Sequence, residues 1–351
     1  MHGATMVTPQ KQAGTMPEAE IEYETVEGRP YHDINELLAH GVDKATLKKL
    51  CESHIRTVER VHMEPLKNLV AINGLSEAKA KKVRDEAVKL LGWSKFTTAA
   101  DRLALSKDAW TKVSTGSTEL DAILGGGLQR KHITQVYGEF RSGKSMLAHT
   151  MCVTAQKPIE QGGGSGRAMF IDTEGTFDER KLVKIAEAHG LDPAGALSNI
   201  DVCRVHNYED LNQTIQEASQ LLIDGNHSFI AIDSIATPFR NEFLGRGDLS
   251  VRQQELQKTL TFLAKTIEEY NLACLLTNQV MANPENGGMP GADPRRAVLG
   301  FVLSHRSQTI LNMKKGAGEK RIVKLTCSPT MPEADAEISI SEKGITDFSG
   351  K

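Results

Sequence analysis

Apolar residues in this chain keep two different spacings, and the change between them divides it. From Asp33 to Leu91 they recur every three or four positions, as in Ile34, Leu37 and Leu38 and again in Leu47 and Leu50. That interval lines one face of an α-helix. Asp43, just ahead of Lys44-Ala45-Thr46-Leu47, has the place of an N-cap. Strand-like alternation is absent, so the pattern predicts a small all-helical N-terminal domain over 32–91. At about 60 residues it is near the lower limit for folding alone. Beyond 113 short apolar runs alternate with helical stretches. The runs at 133–137, 168–172, 200–204, 229–233, 273–278 and 309–313 predict strands of an α/β domain, with a mostly parallel central sheet, over 114–351. Residues 1–31 are polar and aperiodic and predict a mobile tail. Residues 92–113 read as a linker that carries Trp93 and Phe96.

Within the helical part, Leu69-Val70-Ala71-Ile72 runs into Gly74, and Ser76 then caps a second helix bearing Lys79, Lys81, Lys82 and Arg84. This spacing resembles a helix-hairpin-helix. Such a turn either presents backbone N–H groups to a phosphate or simply packs two helices beneath a solvated lysine face. The residues alone leave both readings open.

Composition narrows the function classes. The chain has 351 residues, 39% hydrophobic and 25% charged, the balance of an ordinary globular protein. No apolar run nears the ~18 residues that a bilayer span needs, and no apolar segment follows Met1 in the manner of a secretory signal. The expectation is a nuclear or cytosolic protein with no membrane partner. Five dispersed cysteines without a C-x-x-C spacing argue against a disulfide framework and against a cysteine zinc site. A net charge of −3 gives no global pull on nucleic acid, so any such affinity must come from local basic clusters.

The sharpest motif is Gly138-Glu139-Phe140-Arg141-Ser142-Gly143-Lys144-Ser145, a complete G-x-x-x-x-G-K-[ST] between a predicted strand and a helix-prone stretch. Glycines let the backbone wrap round a phosphate, and the exposed N–H groups with the helix dipole hold its charge. Lys144 then reaches the β and γ phosphates, and the Ser145 hydroxyl is placed to ligate Mg²⁺. The motif therefore implies ATP and Mg²⁺ as cofactors. Phe229-Ile230-Ala231-Ile232-Asp233 reads as a buried parallel strand that delivers Asp233 to the metal shell. Glu174, past the strand that ends at Asp172, is a candidate general base or water-positioning residue; spacing alone fits a surface turn equally well. Gln279, past the strand at 273–278, is a candidate γ-phosphate sensor or an ordinary polar loop residue.

Taken together and in this order, these motifs resemble the RecA/RadA-type strand-exchange recombinases, and most of all their eukaryotic branch. Ser114-Thr115-Gly116-Ser117, Gly245-Arg246-Gly247, Arg252-Gln253-Gln254 and Met331-Pro332-Glu333 add to the likeness, which extends over about 33–347. Cys152-Val153-Thr154-Ala155-Gln156, Glu268-Glu269-Tyr270-Asn271 and Pro284 are more similar to the meiosis-specific recombinase than to its mitotic sister. The resemblance implies a RecA-like P-loop ATPase core, with Glu174 as catalytic glutamate and Gln279 as a relay from ATP to DNA. It implies that Phe96-Thr97-Thr98-Ala99 is a polymerisation motif, with Phe96 and Ala99 seated in the neighbouring core. Mediator proteins would use the same receptor pocket. Two loops, about 236–247 and 281–298, become DNA-binding loops. Arg240 and Arg246 would meet phosphate, and Met281 or Pro284 would wedge between bases. Asp293 and Pro294 would cap the ATP of the adjacent protomer, and His305 would sense its γ-phosphate.

Several positions depart from the family pattern. Lys181 stands where an adenine-stacking arginine is usual, with Arg180 beside it, and lysine lacks the planar face. Ala297, Leu299 and Ile310 replace a customary proline, glycine and basic residue. The resulting expectation is a nuclear, DNA-dependent ATPase. It would form filaments on single-stranded DNA, pair them with double-stranded DNA and exchange strands in meiotic recombination and break repair. The alternatives are a non-exchanging paralogue that regulates filaments and a hexameric ring DNA-dependent ATPase.

Overall fold

The computed structural model describes residues 31–92, 96, 98–100, 111–243, 245–282 and 295–350, with the backbone alone at 224, 246, 282 and 295. The tail predicted over 1–31 lies outside these residues except for Tyr31, as does most of the linker, Trp93 and Thr97 included.

The described residues open with a 3-10 turn at Ile34–Leu38 and four helices, α1 (Lys44–Glu52), α2 (Val58–Met63), α3 (Leu66–Val70) and α4 (Glu77–Leu91). Asp43 caps α1 by accepting the Thr46 N–H at 3.1 Å. Ser76 caps α4 by accepting the Lys79 N–H at 3.4 Å. The helical spacing read in the sequence becomes one apolar core that includes Ile34, Leu37, Leu47, Leu50, Val58 and Leu69. Lys49 donates to the Gly74 carbonyl at 2.7 Å, which pins α1 to the hairpin turn.

The remainder runs β1 (Lys112–Val113), α5 (Thr118–Ile123), β2 (Leu128–Gln129), β3 (Ile133–Gly138), α6 (Lys144–Thr154), β4 (Arg167–Asp172), α7 (Glu179–Ala188), α8 (Pro193–Ser198), β5 (Ile200–Arg204), α9 (Tyr208–Asp224) and β6 (His227–Asp233). It continues with α10 (Ala236–Glu242), α11 (Leu249–Glu269), β7 (Ala273–Asn278), β8 (Val280–Ala282), β9 (Arg295–Ala297), α12 (Gly300–Arg306), β10 (Thr309–Lys315), β11 (Lys320–Cys327), β12 (Ala334–Ser341) and β13 (Gly344–Asp347). Nine strands form one sheet in the order β13-β12-β11-β10-β3-β7-β6-β4-β5. The six strands from β10 to β5 are parallel, and they are the six expected from the apolar runs. The antiparallel extension β11–β13 and the short β1–β2 and β8–β9 pairs were not among those expectations.

Period-two geometry splits each buried run between the two faces of the sheet. Phe229 and Ala231 enter the core beneath α6 and α7, whereas Ile230 and Ile232 enter the core beneath α9 and α11. Both faces are thus covered, as a parallel sheet requires. The strands end together, with Asp172 opposite both Asp233 and Arg204 and Tyr137 opposite Asn278. One carboxyl-terminal edge therefore gathers the polar residues that follow each run. The five cysteines are free thiols, with Cys152 and Cys274 buried. Among the described residues no helix is long and apolar enough to cross a membrane.

Candidate nucleotide-binding site

The loop after β3 takes the form its glycines permit. A Cβ on Gly138 would collide with the Met313 carbonyl of β10, and one on Gly143 with the Ile340 side chain of β12. Gly143 also holds φ +112, a left-handed conformation at the N-cap of α6. Arg321 of β11 donates to the Ser142 carbonyl at 3.1 Å and so buttresses the loop from behind. Glu139 is half-buried. Phe140 is exposed, with the Arg141 guanidinium 5.2 Å from its ring centroid.

Charges inside the loop are held by dipoles. Lys144 donates to the carbonyls of Gly138 at 3.0 Å and Glu139 at 2.9 Å. Burial lowers its pKa against the pull of Asp233 and Glu174, and Lys315 adds to the depression. Asp233 is 1% exposed. It accepts hydroxyl protons from Ser145, from Thr277 and from Thr176 at 3.0 Å. Burial nevertheless raises its pKa, and the nearby Glu174 carboxylate adds to the rise. A hydroxyl and a carboxylate on adjoining elements are hard oxygen donors of the kind that bind Mg²⁺ while it keeps several waters. The Ser142 hydroxyl is buried without a hydrogen-bond partner among the described residues. The glycine cradle, the half-buried cation and this donor set fit a magnesium–nucleotide. Among the described residues no cluster of three or more His, Cys, Asp or Glu could hold a metal by itself.

Glu174 is brought to the same edge. Its Oε1 accepts from Thr237 of α10 at 2.9 Å and from the Gln279 amide at 2.7 Å. Gln279 in turn accepts from the Arg240 guanidinium. The two residues that spacing left ambiguous are therefore in contact, and a third, Arg240, completes the chain. Thr237 was not singled out from the sequence; its side of a helix meets Glu174 only in the fold.

The remaining candidates are more dispersed. The first predicted loop is helical over Ala236–Glu242 and forms a 3-10 turn at Arg246–Asp248; the Arg246 side chain lies outside the described residues. Met281 is 46% exposed on β8, which pairs with β9 to frame the second loop. Pro284, Asp293 and Pro294 lie outside the described residues. His305 is exposed on α12, its ring 6.1 Å from that of Phe301. Arg180 and Lys181 both face Asp178, at 3.1 and 3.9 Å. Phe96 is 92% exposed, and Ala99 is exposed.

Comparison with known proteins follows the same line. A Rad51 family model matches residues 106–348. The DNA repair protein RAD51 of Saccharomyces cerevisiae is 40% identical over 339 residues, which cover 96% of this chain and 84% of that protein. The meiotic recombination protein DMC1 of the same yeast is 41% identical over 317 residues, covering 90% and 94%. The DNA repair protein RAD51 homolog 1 of Arabidopsis thaliana is 39% identical over 316 residues, covering 90% and 91%.

Proposed function

The chain belongs to the Rad51 family, and on that premise we propose that it is an ATP-dependent DNA recombinase of meiotic recombination and double-strand break repair. It assembles as a helical filament on single-stranded DNA, pairs that strand with a homologous duplex and exchanges strands. The observation that carries this reading is the hydrogen-bonded path from Glu174 through Gln279 to Arg240. It joins the nucleotide edge of the sheet to the segment assigned to DNA. A phosphate that draws Arg240 away frees Gln279, and Glu174 then loses an amide partner.

In the ATP-bound protein, the N–H groups at the start of α6 receive the phosphates, and Lys144 exchanges its two loop carbonyls for phosphate oxygens. Ser145 and Asp233 are the residues to hold Mg²⁺, which when bound neutralises charge on the phosphate oxygens. Glu174 orients a water molecule. Its oxygen bonds to the γ-phosphorus as the bond from that phosphorus to the β–γ bridging oxygen breaks. The proton passes to the Glu174 carboxylate and then to solvent, and ADP and phosphate leave. Arg180 or Lys181 lies against the adenine.

Between protomers, Asp293, Pro294 and His305 complete the nucleotide site from the neighbour. Phe96 and Ala99 enter the neighbour's core, a receptor that mediator proteins share. Burying one phenylalanine contributes about 2 kcal/mol or more. Residues 32–91 are the helix-hairpin-helix domain, 92–113 the linker and 114–351 the ATPase core, and the protein works in the nucleus.

Joint-molecule formation between single-stranded DNA and a homologous supercoiled duplex tests this reading. Joints are expected with ATP and Mg²⁺ and not without ATP. ATP-dependent DNA binding without joints would instead identify a non-exchanging paralogue. Closed rings in electron micrographs would identify a ring ATPase.

A further inference from the structure

Glu174 stands on a turn whose shape is dictated by one carboxylate and one guanidinium, neither of which touches the nucleotide loop. Asp172 ends β4 with its side chain 6% exposed. Its Oδ1 accepts the backbone N–H groups of Glu174 at 3.0 Å, Gly175 at 2.7 Å and Thr176 at 3.3 Å, and its Oδ2 accepts that of Phe177 at 3.4 Å. Arg204 ends β5 directly opposite Asp172. Its Nη1 donates to the same Oδ1 at 2.9 Å and to the Asp172 carbonyl at 3.2 Å. Gly175 has φ +74, and a Cβ there would come within 3.2 Å of the Arg204 guanidinium, so the glycine also makes room for the brace. In the sheet order β3-β7-β6-β4-β5, Arg204 is four strands from the phosphate loop. Its guanidinium is taken up by Asp172 at the base of the turn that carries Glu174.

We propose that Asp172 and Arg204 are a positioning pair that fixes the Glu174 carboxylate for ATP hydrolysis. The carboxylate gathers four N–H groups and thereby sets where the Glu174 backbone leaves β4. The guanidinium holds that carboxylate still. Thr237 and Gln279 then meet a side chain whose origin is already fixed. The inference rests on the reading of Glu174 as the residue that orients water. A displacement of about 1 Å in such a group costs on the order of 10² in rate, whereas the phosphate contacts made by the loop at β3 are left in place.

The test uses the full chain with saturating single-stranded DNA and Mg²⁺. It compares wild type, Arg204→Ala, Arg204→Lys and Asp172→Asn by phosphate release, together with thermal unfolding of each. The expected result for Arg204→Ala is a kcat about tenfold or more below wild type, a KM for ATP within about threefold, and partial recovery in Arg204→Lys. Asp172→Asn keeps the shape of the side chain and decides the matter by the same limits where Arg204→Ala does not fold. A kcat fall of less than tenfold, or a KM that rises in step with it, overturns the proposal. Wild type that releases no phosphate on DNA overturns the hydrolysis reading itself, a result separable from the first.

Discussion

Two clusters of charge in this molecule are built on opposite plans. Where α2 meets α11, each charge faces its opposite. Arg60 and Glu269, with side chains 2% and 3% exposed, approach to 3.3 Å. Arg60 also reaches Glu64 at 3.1 Å, and Lys265 reaches the same carboxylate at 2.8 Å. Thr57 donates to Glu269 at 2.6 Å, and the Arg60 guanidinium lies 4.0 Å from the centre of the Phe262 ring. At the phosphate loop the charges face neutral dipoles instead. Lys144 rests on two carbonyls, Asp233 on hydroxyls, and Glu174 on a hydroxyl and an amide. The first cluster pairs its charges within the protein and fastens the helical part to the sheet. The second leaves a half-buried cation and two carboxylates whose best partners come from outside, which is how binding sites are recognised among charges withdrawn from water.

Breaking the internally paired cluster tests that contrast most strongly. Arg60→Ala removes the cation facing Glu269 and leaves Glu64 to Lys265 alone, and it is expected to lower stability by about 3–5 kcal/mol in denaturant titration, with ATP affinity unchanged. Equal stability would mean that the cluster fastens nothing, and a parallel loss of ATP affinity would merge the two regions.

A smaller effect concerns pH. Burial raises the Glu269 pKa from 4.5 to about 7, against the pull of Arg60. Between those values the folded protein holds a proton that the unfolded chain has released, so this group's contribution to stability is present below 4.5 and falls as pH rises to 7. Wild type is expected to lose more stability than Glu269→Gln across that window, by a few kcal/mol at most. Superimposable pH profiles would contradict this.

How much the sequence disclosed depended on how local each feature is. Buried parallel strands read as near-continuous apolar runs, which is why all six, and the edge where Asp172, Asp233 and Asn278 emerge, were legible. The phosphate loop was legible because its chemistry lies within eight consecutive residues. Features that depend on strand register left no signal. Arg321 meets Ser142 across 179 positions, and Arg204 reaches Asp172 only because β4 and β5 pair in one register. Leu299 illustrates a local rule overridden by context. It holds φ +68, a conformation that favours glycine, while its side chain is buried in the core. The Glu174–Gln279 contact joins residues 105 positions apart, so spacing could name both but not their meeting.

The most direct measurement is the length of assemblies on single-stranded DNA, seen by electron microscopy for wild type and Lys144→Ala, each with and without ATP and Mg²⁺. Long helical assemblies are expected from wild type only with nucleotide, and none from the variant, which lacks the ammonium that meets the β and γ phosphates. Equally long assemblies from the variant, or from wild type without ATP, would contradict nucleotide control of the grip on DNA.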